Sequence, residues 1–433
     1  MSGTCKTIFD PIHGSIRTEG VFLDILDRHE MQRLRSVKQL DMGYLVFPGA
    51  NHTRFEHSLG VYYLSGRMAS SLGLSQEDSD AVRAAGLLHD VCHSPFSHTM
   101  EEITVDRTGM DHMDMAAKLI NGEIPTHRER DEDLFRESGT IAEVLEAGGI
   151  SSRKVCNLIS KPVSGEDGIF TGGTSFFPSG DYVHQIIHGP VDADQMDYLM
   201  RDAHYTGVSW GAIDSERILN TISVHNDRIV VQRSGAVAAE GLMVSRALMY
   251  SSVYYHATVR IAKMMVTKAF EASSLDVTRL YAWDDADMTN ALIGEGGTAS
   301  NLMRSVLNRR LYKTALIKYS EDTDDETVEA LAQFSKYRKR KILEQEIADK
   351  AGVDVSQVIV DMPSESAMLS KIKIGKTDVP VMDSSGKVRP LTKFSPLAKS
   401  LQSRDPFGWK IMVAAPKEHA ESVSKAARRI LNL

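Results

Sequence analysis

The sequence predicts a mostly α-helical protein with a smaller mixed α/β part at its C-terminal end. Apolar and small residues recur at helical intervals before residue 350, whereas β-like runs bounded by Gly, Pro and Asp gather after it. The chain has 433 residues, of which 42% are hydrophobic and 25% charged, and this composition excludes a wholly disordered chain. We therefore expect a helical core over residues 1–350 and a small α/β region over residues 351–433.

Local patterns justify the first elements in chain order. Gly, Pro and short β-like runs predict an irregular segment over residues 1–20. Apolar side chains on two faces predict a buried helix over residues 55–72. Ser75, followed by an acidic residue at the third helical position, is typical of the start of a helix. We expect this second helix to end near His89 and Asp90.

The later elements follow from similar signals. Gly, Ser and Pro over residues 160–180 predict a long loop. Periodicity predicts helices over about residues 191–206 and, nearly uninterrupted, over about residues 239–270. The runs QVIVDMPS, KIKIGKTDVPVMD and WKIMVAAP predict strands, and an amphipathic pattern predicts a final helix over residues 417–432.

Charge and cysteine content narrow the classes of function. The chain has 50 Lys and Arg against 58 Asp and Glu, a formal net charge of -8, which argues against nucleic-acid binding. Its three cysteines show no CxxC spacing, which argues against a disulfide framework or a cysteine-rich zinc site. No apolar run reaches the roughly 18 to 20 residues that span a bilayer, and a secretory h-region is missing. We expect a reduced, soluble, cytoplasmic protein without a membrane partner.

Polar residues inside apolar helices are the informative ones. His57, the pair His89-Asp90 and Asp194 offer imidazole and carboxylate groups, which suit a divalent metal. A bound ion would also explain why a carboxylate stands in an apolar environment. Each histidine alone is more often a hydrogen-bonded core residue. Spacing by itself leaves the two interpretations near even.

Two further groups surround these residues. Asp194, Tyr198 and Asp202 fall on one stripe of a helix at about 100° per residue, which favours a pocket wall over a solvated face with i,i+4 pairs. Close in sequence to the candidate ligands, Arg54, His93 and His98 offer cationic donors of the kind that a phosphoryl transition state needs. Plain surface charge is the alternative for the second group.

With these residues in place, the chain resembles the HD-domain metal-dependent phosphohydrolases. The strings DPIHG at 10–14, QRLR at 32–35, KQLDMGYLVFPGANHTRFEHSLGVYYL at 38–64, HDVCHSPFSH at 89–98 and VDADQMDYLMRDAHYTG at 191–207 are similar to the dNTP triphosphohydrolase branch. The resemblance is strong over about residues 5–270 and weak beyond. It extends to the sterile-alpha-motif and HD-domain dNTPases, although we expect no sterile-alpha-motif domain in this chain.

The resemblance implies a reaction and a set of roles. Water activated by a divalent metal (Mn, Fe, Zn or Mg) attacks the α-phosphorus of a dNTP, and deoxynucleoside and triphosphate leave. The implied metal ligands are His57, His89, Asp90 and Asp194, and the implied catalytic residues are His112, which protonates the leaving 5′-oxygen, and His93. The implied substrate-binding residues are Arg54, His98 and Arg246 at the phosphates, Gln39 and Asp202 at the sugar 3′-hydroxyl, and Tyr198 and Tyr254 at the sugar and base.

Two departures from the family pattern keep other functions open. Gln195 replaces a lysine that follows the last metal aspartate in close relatives, and Met113 replaces a glutamate that follows the catalytic histidine. Asp111 or Asp114 is the candidate substitute for that glutamate. The runner-up function is an HD-domain phosphatase or pyrophosphatase acting on a nucleoside monophosphate or an isoprenoid diphosphate. The third is a non-catalytic nucleotide or nucleic-acid binder.

The resemblance also implies regulation. Asp27, Gln32 and Arg35, with Lys6 and Asp10, match residues that bind a guanine nucleotide between subunits in nucleotide-activated relatives. Phe9 replaces a small polar residue of that region, and a solvated amphipathic helix is the alternative for the segment around Gln32. We expect a homo-oligomer, a dimer or tetramer, with GTP or dGTP as its activator.

Overall fold

The computed structural model describes residues 5–125, 131–135, 139–160, 181–319, 322–362, 379–403 and 410–432. Within them the predicted fold class is confirmed, because most elements are helices and the last third of the chain combines small sheets with helices. Most of the loop predicted over 160–180, and the predicted strand residues 371–378, lie outside the described residues.

The helices of the described residues run from the N-terminal to the C-terminal end as follows. They are α1 (Val21–Leu26), α2 (His29–Arg33), α3 (Arg54–Leu72), α4 (Gln76–Leu88), α5 (Glu101–Thr108), α6 (His112–Ile120), α7 (Glu132–Phe135), α8 (Ile141–Ala147), α9 (Ser152–Ile159), α10 (Gln185–His188), α11 (Ala193–Thr206), α12 (Ser215–Leu219), α13 (Ala236–Met249), α14 (Ala257–Glu271), α15 (Asp285–Gly294), α16 (Gly297–Leu307), α17 (Asp325–Ala332), α18 (Tyr337–Ala351), α19 (Pro396–Ser403) and α20 (Ala420–Leu431).

The strands within the described ranges form three sheets. They are β1 (Cys5–Asp10), β2 (Gly14–Glu19), β3 (Ile222–Val224), β4 (Ile229–Gln232), β5 (Lys313–Tyr319), β6 (Ile359–Asp361), β7 (Pro380–Met382), β8 (Val388–Pro390) and β9 (Lys410–Ala415). The sheet orders are β1-β2, β3-β4-β7-β8 and β5-β9-β6, and only the β4–β7 pairing is parallel among the described residues.

Helices α3 and α4 form the scaffold of the first core. Ser75 accepts a hydrogen bond from the Asp78 backbone N–H, so the predicted N-cap is confirmed. Gly73 ends α3 in the left-handed conformation, which glycine adopts without the steric cost of a Cβ. Both helices bury most of their faces in one apolar cluster.

Two sequence expectations need correction. The N-terminal segment is a regular hairpin, since β1 and β2 pair from Cys5 with Glu19 to Asp10 with Gly14. The helix expected over 239–270 is divided, because a π-helical turn at Tyr250–Tyr254 separates α13 from α14. That turn includes Tyr254, a residue of the candidate site.

The sheet formed by β5, β9 and β6 packs between two layers of helices. Ile359 and Met412 face the helical core, whereas Val360 and Val413 face α18 and α20. This alternation is the period-2 pattern of a strand with two buried faces. Because β5 pairs with β9, chain from both sides of residue 350 forms this sheet. The domain boundary at 350 stays a prediction.

No helix among the described residues is long and apolar enough to cross a membrane.

Candidate metal centre and nucleotide pocket

Three helices bring the candidate metal ligands together. His57 comes from the first turn of α3, His89 and Asp90 follow the last turn of α4, and Asp194 comes from the first turn of α11. Helix α3 packs against both α4 and α11, so the ligands meet at one point between these helices. His57, His89 and Asp90 are buried there, and Asp194 is partly exposed.

The ligand atoms face one another. His57 Nε2 lies 3.0 Å from an Asp194 oxygen and 3.6 Å from an Asp90 oxygen. His89 Nε2 lies 3.4 Å from the other Asp90 oxygen and 3.8 Å from Asp194. One ligand atom each from His57, His89 and Asp90 falls within 4.8 Å of the others. Neutral imidazoles and carboxylates at such separations fit a divalent metal ion.

Hydrogen bonds fix both histidine rings. His57 Nδ1 donates to Asp197 at 2.7 Å, and His89 Nδ1 donates to the Gly86 carbonyl at 2.8 Å. A partner at Nδ1 leaves the Nε2 lone pair for a metal. Both Nε2 atoms therefore face the ligand cluster.

The electrostatics of the cluster suit a cation. Burial opposes the charged form of His57, but hydrogen bonds with Asp194 and Asp197 prevail and raise its pKa to about 10. Burial also opposes ionisation of Asp90, but Arg54 and neighbouring histidines hold the pKa of that carboxyl well below its usual range. Asp90 is thus ionised at neutral pH, and a metal ion would displace the proton from His57.

A second cluster lies beside the first. The rings of His93 and His112 stack with centroids 4.0 Å apart, and Asp90, His93 and His112 form a further group whose atoms could share an ion. The Arg54 guanidinium bonds to Asp90 and, through Nε, to Ser97 Oγ at 2.7 Å. Arg54 and His93, two of the three cationic residues expected near the ligands, each contact Asp90 in this arrangement, whereas the third, His98, is exposed.

Glu101 is a residue of the site that sequence reasoning missed. Its carboxylate accepts hydrogen bonds from His112 Nδ1 at 2.8 Å and from His98 Nδ1 at 2.7 Å. Burial opposes its ionised form, but these two bonds prevail and lower its pKa. Asp111 instead caps α6, and Asp114 bonds back to the Asp111 backbone. The i,i+3 spacing from His98 was the available signal.

Two turns beyond Asp194 on α11, Asp202 is buried and bonded to two side chains. One oxygen lies 2.7 Å from His52 Nε2, and the other accepts the Tyr254 hydroxyl at 2.7 Å. The Gln39 backbone donates to the His52 carbonyl at 3.0 Å. The Gln39 side-chain oxygen is buried and has no hydrogen-bond partner among the described residues. His52, also missed from sequence, thus joins the two residues expected at the sugar hydroxyl.

Gln195 bonds to protein groups on three sides. Its Nε2 donates to Asp192 at 2.9 Å and to the Gly189 carbonyl at 3.0 Å, and its Oε1 accepts from Arg246 at 3.1 Å. Arg246 is therefore linked to helix α11 through a neutral amide. A lysine at position 195 would add a positive charge at this end of the site.

The residues matched to an effector site divide into two places. Lys6 and Asp27 form an exposed ion pair at 3.0 Å, and Arg35 bonds to Gln32 at 2.9 Å. The Asp10 carboxylate is buried instead and accepts from Arg201 at 2.7 Å. On helix α11, Asp197 and Arg201 are fully buried beside the stripe of Asp194, Tyr198 and Asp202.

Comparisons with known proteins agree with this site. Residues 54–161 match the model of the HD domain, and residues 213–433 match the HD associated region. The chain belongs to the HD-domain family of phosphohydrolases. The uncharacterized protein MJ1154 of Methanocaldococcus jannaschii is 34% identical over 423 residues, which are 95% of this chain and 80% of that protein.

Other relatives extend the family. Human deoxynucleoside triphosphate triphosphohydrolase SAMHD1 is 31% identical over 62% of this chain, which spans 44% of the human protein. A hypothetical protein from Aquifex aeolicus shares the fold with a TM-score of 0.66 at 26% identity, covering 98% of this chain and all of that one. A phosphohydrolase from Bacteroides thetaiotaomicron shares it with a TM-score of 0.67 at 24% identity, covering 95% of this chain and all of that one.

Proposed function

We propose that this protein hydrolyses deoxynucleoside triphosphates to deoxynucleoside and triphosphate in a metal-dependent reaction. The observation that carries the proposal is the order of groups along α11. Asp194 stands at the metal ligands, Tyr198 follows one turn later, and Asp202 stands at the far end. This order fits a ligand with phosphate at one end and a sugar hydroxyl at the other. The similarity to SAMHD1, named for that reaction, supports it.

The residues of the chain divide the work of the reaction. A divalent metal held by His57, His89, Asp90 and Asp194 would supply Lewis acidity at the α-phosphate and a more acidic water. Arg54 stands beside Asp90, where its charge can offset the negative charge that develops on phosphate oxygens. Glu101 holds Nδ1 of His112, so Nε2 is the atom that would give a proton to the 5′-oxygen as its bond to phosphorus breaks.

The opposite end of the pocket would recognise the sugar. Asp202, held by His52 and Tyr254, and Gln39, with its free oxygen, are the groups for a 3′-hydroxyl. Tyr198 packs edge-on to Tyr254 with centroids 6.1 Å apart. Its ring would crowd a 2′-hydroxyl and favour deoxynucleotides.

A second candidate function rests on Gln195. Because Gln195 is neutral and bonds to Arg246, the distal end of the pocket has less positive charge than a triphosphate site with lysine. An HD-domain phosphatase or pyrophosphatase with a shorter phosphate group would fit this end. The two functions differ in the product that they release.

Product identification tests the proposal. Purified protein is analysed for metal, then incubated with the four dNTPs, GTP and a panel of monophosphates and diphosphates. We expect inorganic triphosphate from dNTPs and lower kcat/KM on GTP than on dGTP. Tyr198→Ala should narrow that difference, whereas Tyr319→Ala, a change on distant strand β5, should not. Orthophosphate or pyrophosphate from other compounds would favour the second candidate.

We further propose that a guanine nucleotide bridges subunits at Lys6, Asp27, Gln32 and Arg35. An effector that binds only the assembled form favours assembly by mass action. Light scattering and rate assays with and without GTP test this. Asp27→Ala should lose activation and keep its metal. Asp24→Ala, an exposed change on helix α1, which ends just before Asp27, should keep both. Equal mass and activity without effector would contradict the proposal.

A further inference from the structure

A fully buried carboxylate lies one turn beyond the metal ligand Asp194. Asp197 accepts two hydrogen bonds from Arg201, at 2.9 Å each. It also accepts from His57 Nδ1 at 2.7 Å and from His13 Nε2 at 2.6 Å. Four donors from three segments therefore surround one carboxylate, and one of them is the imidazole of a metal ligand.

The N-terminal hairpin delivers His13 to this position. Asp10, at the end of β1, accepts the backbone N–H groups of Ile12 and His13 at 2.9 and 2.8 Å. Its other oxygen accepts Arg201 Nη1 at 2.7 Å. Asp10 thus shapes the turn and ties it to α11, so that His13 reaches Asp197 from the far end of the chain.

Helix α3 leaves room for this cluster at one residue. A Cβ built on Gly60 would lie 1.8 Å from an Asp197 oxygen and 2.6 Å from Arg201 Nη2. A side chain at this position would force Asp197 away from His57. Gly60 therefore permits the close approach of α11 to α3 on which the His57 bond depends.

Stability alone is a weak reason for such a cluster. Removing two carboxylates and a guanidinium from water has a cost that is comparable to what their mutual attraction returns. The cluster touches the metal centre through a single bond, from Asp197 to His57 Nδ1. That bond is the one that fixes the tautomer and the ring orientation of a histidine ligand.

We infer that Asp197 and His13 are positioning residues of the metal centre, and that the turn of the N-terminal hairpin is part of the metal site. Asp197 holds His57 with Nε2 toward the ligands, and His13 and Arg201 hold Asp197. This inference rests on the proposed metal dependence. It assigns to residues 10–14 a role that neither effector binding nor substrate contact requires.

Cobalt binding to the full-length protein tests the inference, with Co²⁺ as the probe. Asp197→Asn and His13→Ala should each weaken Co²⁺ binding about 10- to 100-fold and change its visible spectrum. His13→Gln places an amide N–H near the former Nε2, so it should restore affinity and spectrum toward those of the unchanged protein. His204→Gln, an exposed change on α11, is the matched control and should alter neither.

The outcomes distinguish the positioning role of His13 from the metal dependence of the protein. Unchanged Co²⁺ affinity and spectrum in His13→Ala would overturn the positioning role, as would failure of His13→Gln to restore them while it folds as well as the unchanged protein. A chain without any Co²⁺ binding would overturn the metal-dependent function and the positioning role with it. The comparison of His13→Ala with His13→Gln tests the positioning role even where Asp197→Asn fails to fold.

Discussion

The four proposed metal ligands present imidazole Nε2 and carboxylate oxygen atoms to one another at separations of 3.0 to 3.8 Å. We expect His89→Ala and Asp194→Ala to lose bound metal and to lower turnover at least about 100-fold, because the remaining donors leave the coordination incomplete. Elemental analysis and rate assays measure both effects. The helical circular dichroism should persist, since the surrounding apolar core is unchanged.

His204→Ala is the control for these variants, because His204 is an exposed histidine on the helix that carries Asp194. It should keep both metal and activity. Full metal content in His89→Ala or Asp194→Ala would show that the ligand assignment is wrong.

Glu101 offers a second test at the level of single residues. Glu101→Gln keeps the size of the side chain but replaces one acceptor oxygen with a donor, so His112 and His98 no longer share a carboxylate. We expect kcat to fall about 10- to 100-fold with a smaller change in KM, because the proton donor loses its orientation. Steady-state kinetics measure this split.

Glu102→Gln provides the comparison on the same helix, since Glu102 points to Arg340 of α18. Its effect should fall on stability rather than on kcat. Equal kcat values for Glu101→Gln and the unchanged protein would remove Glu101 from the catalytic arrangement.

At the level of elements, helix α2 is joined to the loop that follows the metal ligands. Arg33 Nη2 donates to the carbonyls of Val91 and His93 at 2.9 Å each, and Nη1 donates to the Trp283 carbonyl at 2.6 Å. A planar guanidinium can reach carbonyls on both sides at once, and a lysine ammonium cannot. The segment of the candidate effector residues is thereby connected to the loop of His93.

We expect Arg33→Lys to lower the free energy of unfolding by about 1 to 3 kcal/mol and to speed amide hydrogen exchange over residues 91–97. Denaturant titration and exchange measured by mass spectrometry report the two effects. Arg35→Lys changes an exposed arginine in the same segment and should leave that exchange unaltered. Unchanged exchange in Arg33→Lys would mean that the loop keeps its position without this helix.

At the level of the whole molecule, a partly buried histidine couples stability to pH. His188 donates to the Ile159 carbonyl at 2.8 Å, and desolvation by burial lowers its pKa to about 4. Its unfolded pKa is about 6.5. As pH falls from about 6.5 toward 4, His188 binds a proton in the unfolded chain but stays neutral in the folded chain. The contribution of His188 to stability is therefore full above about pH 6.5 and declines toward pH 4.

The expected loss from His188 reaches about 3 kcal/mol in the free energy of unfolding at pH 4. Denaturant titrations between pH 7.5 and 4.5, with metal chelated, measure it against His188→Gln, which lacks this titration. The stability difference between the two proteins should shrink as pH falls. A constant difference would contradict the assignment, and His204→Gln, at an exposed site, should show no such trend.

The C-terminal region also supports the site from outside. Arg340 of α18 pairs with Glu102 of α5, the helix that begins with Glu101. Lys268 of α14 pairs with Glu344 of α18 at 2.6 Å, and both side chains are buried. The HD associated region, residues 213–433, is thus bonded to α5, the helix whose first residue, Glu101, accepts a hydrogen bond from His112. This ion pair joins the two regions that match family models.

The sequence by itself determined the helices and the residues that could bind a metal. Helical periodicity is a local property, so three helices, α3, α4 and α11, followed from spacing and capping. The same signals gave the places of His57 and Asp194 within them and of His89 at the end of α4. The hairpin at the N-terminal end and the break at Tyr250 were missed, because pairing and a π-helical turn depend on neighbours that local patterns do not specify.

Only the tertiary structure decided which polar groups act together. His13 lies 184 positions from Asp197, and His52 lies 150 positions from Asp202, yet each pair is within hydrogen-bond distance. Which residues become partners depends on how the elements pack. The packing of α11 against α3 depends on details such as the absence of a side chain at Gly60. Spacing in the sequence identifies neighbours within one or two helical turns. The carboxylates bonded to His57 and His112, which are Asp197 and Glu101, come from other elements.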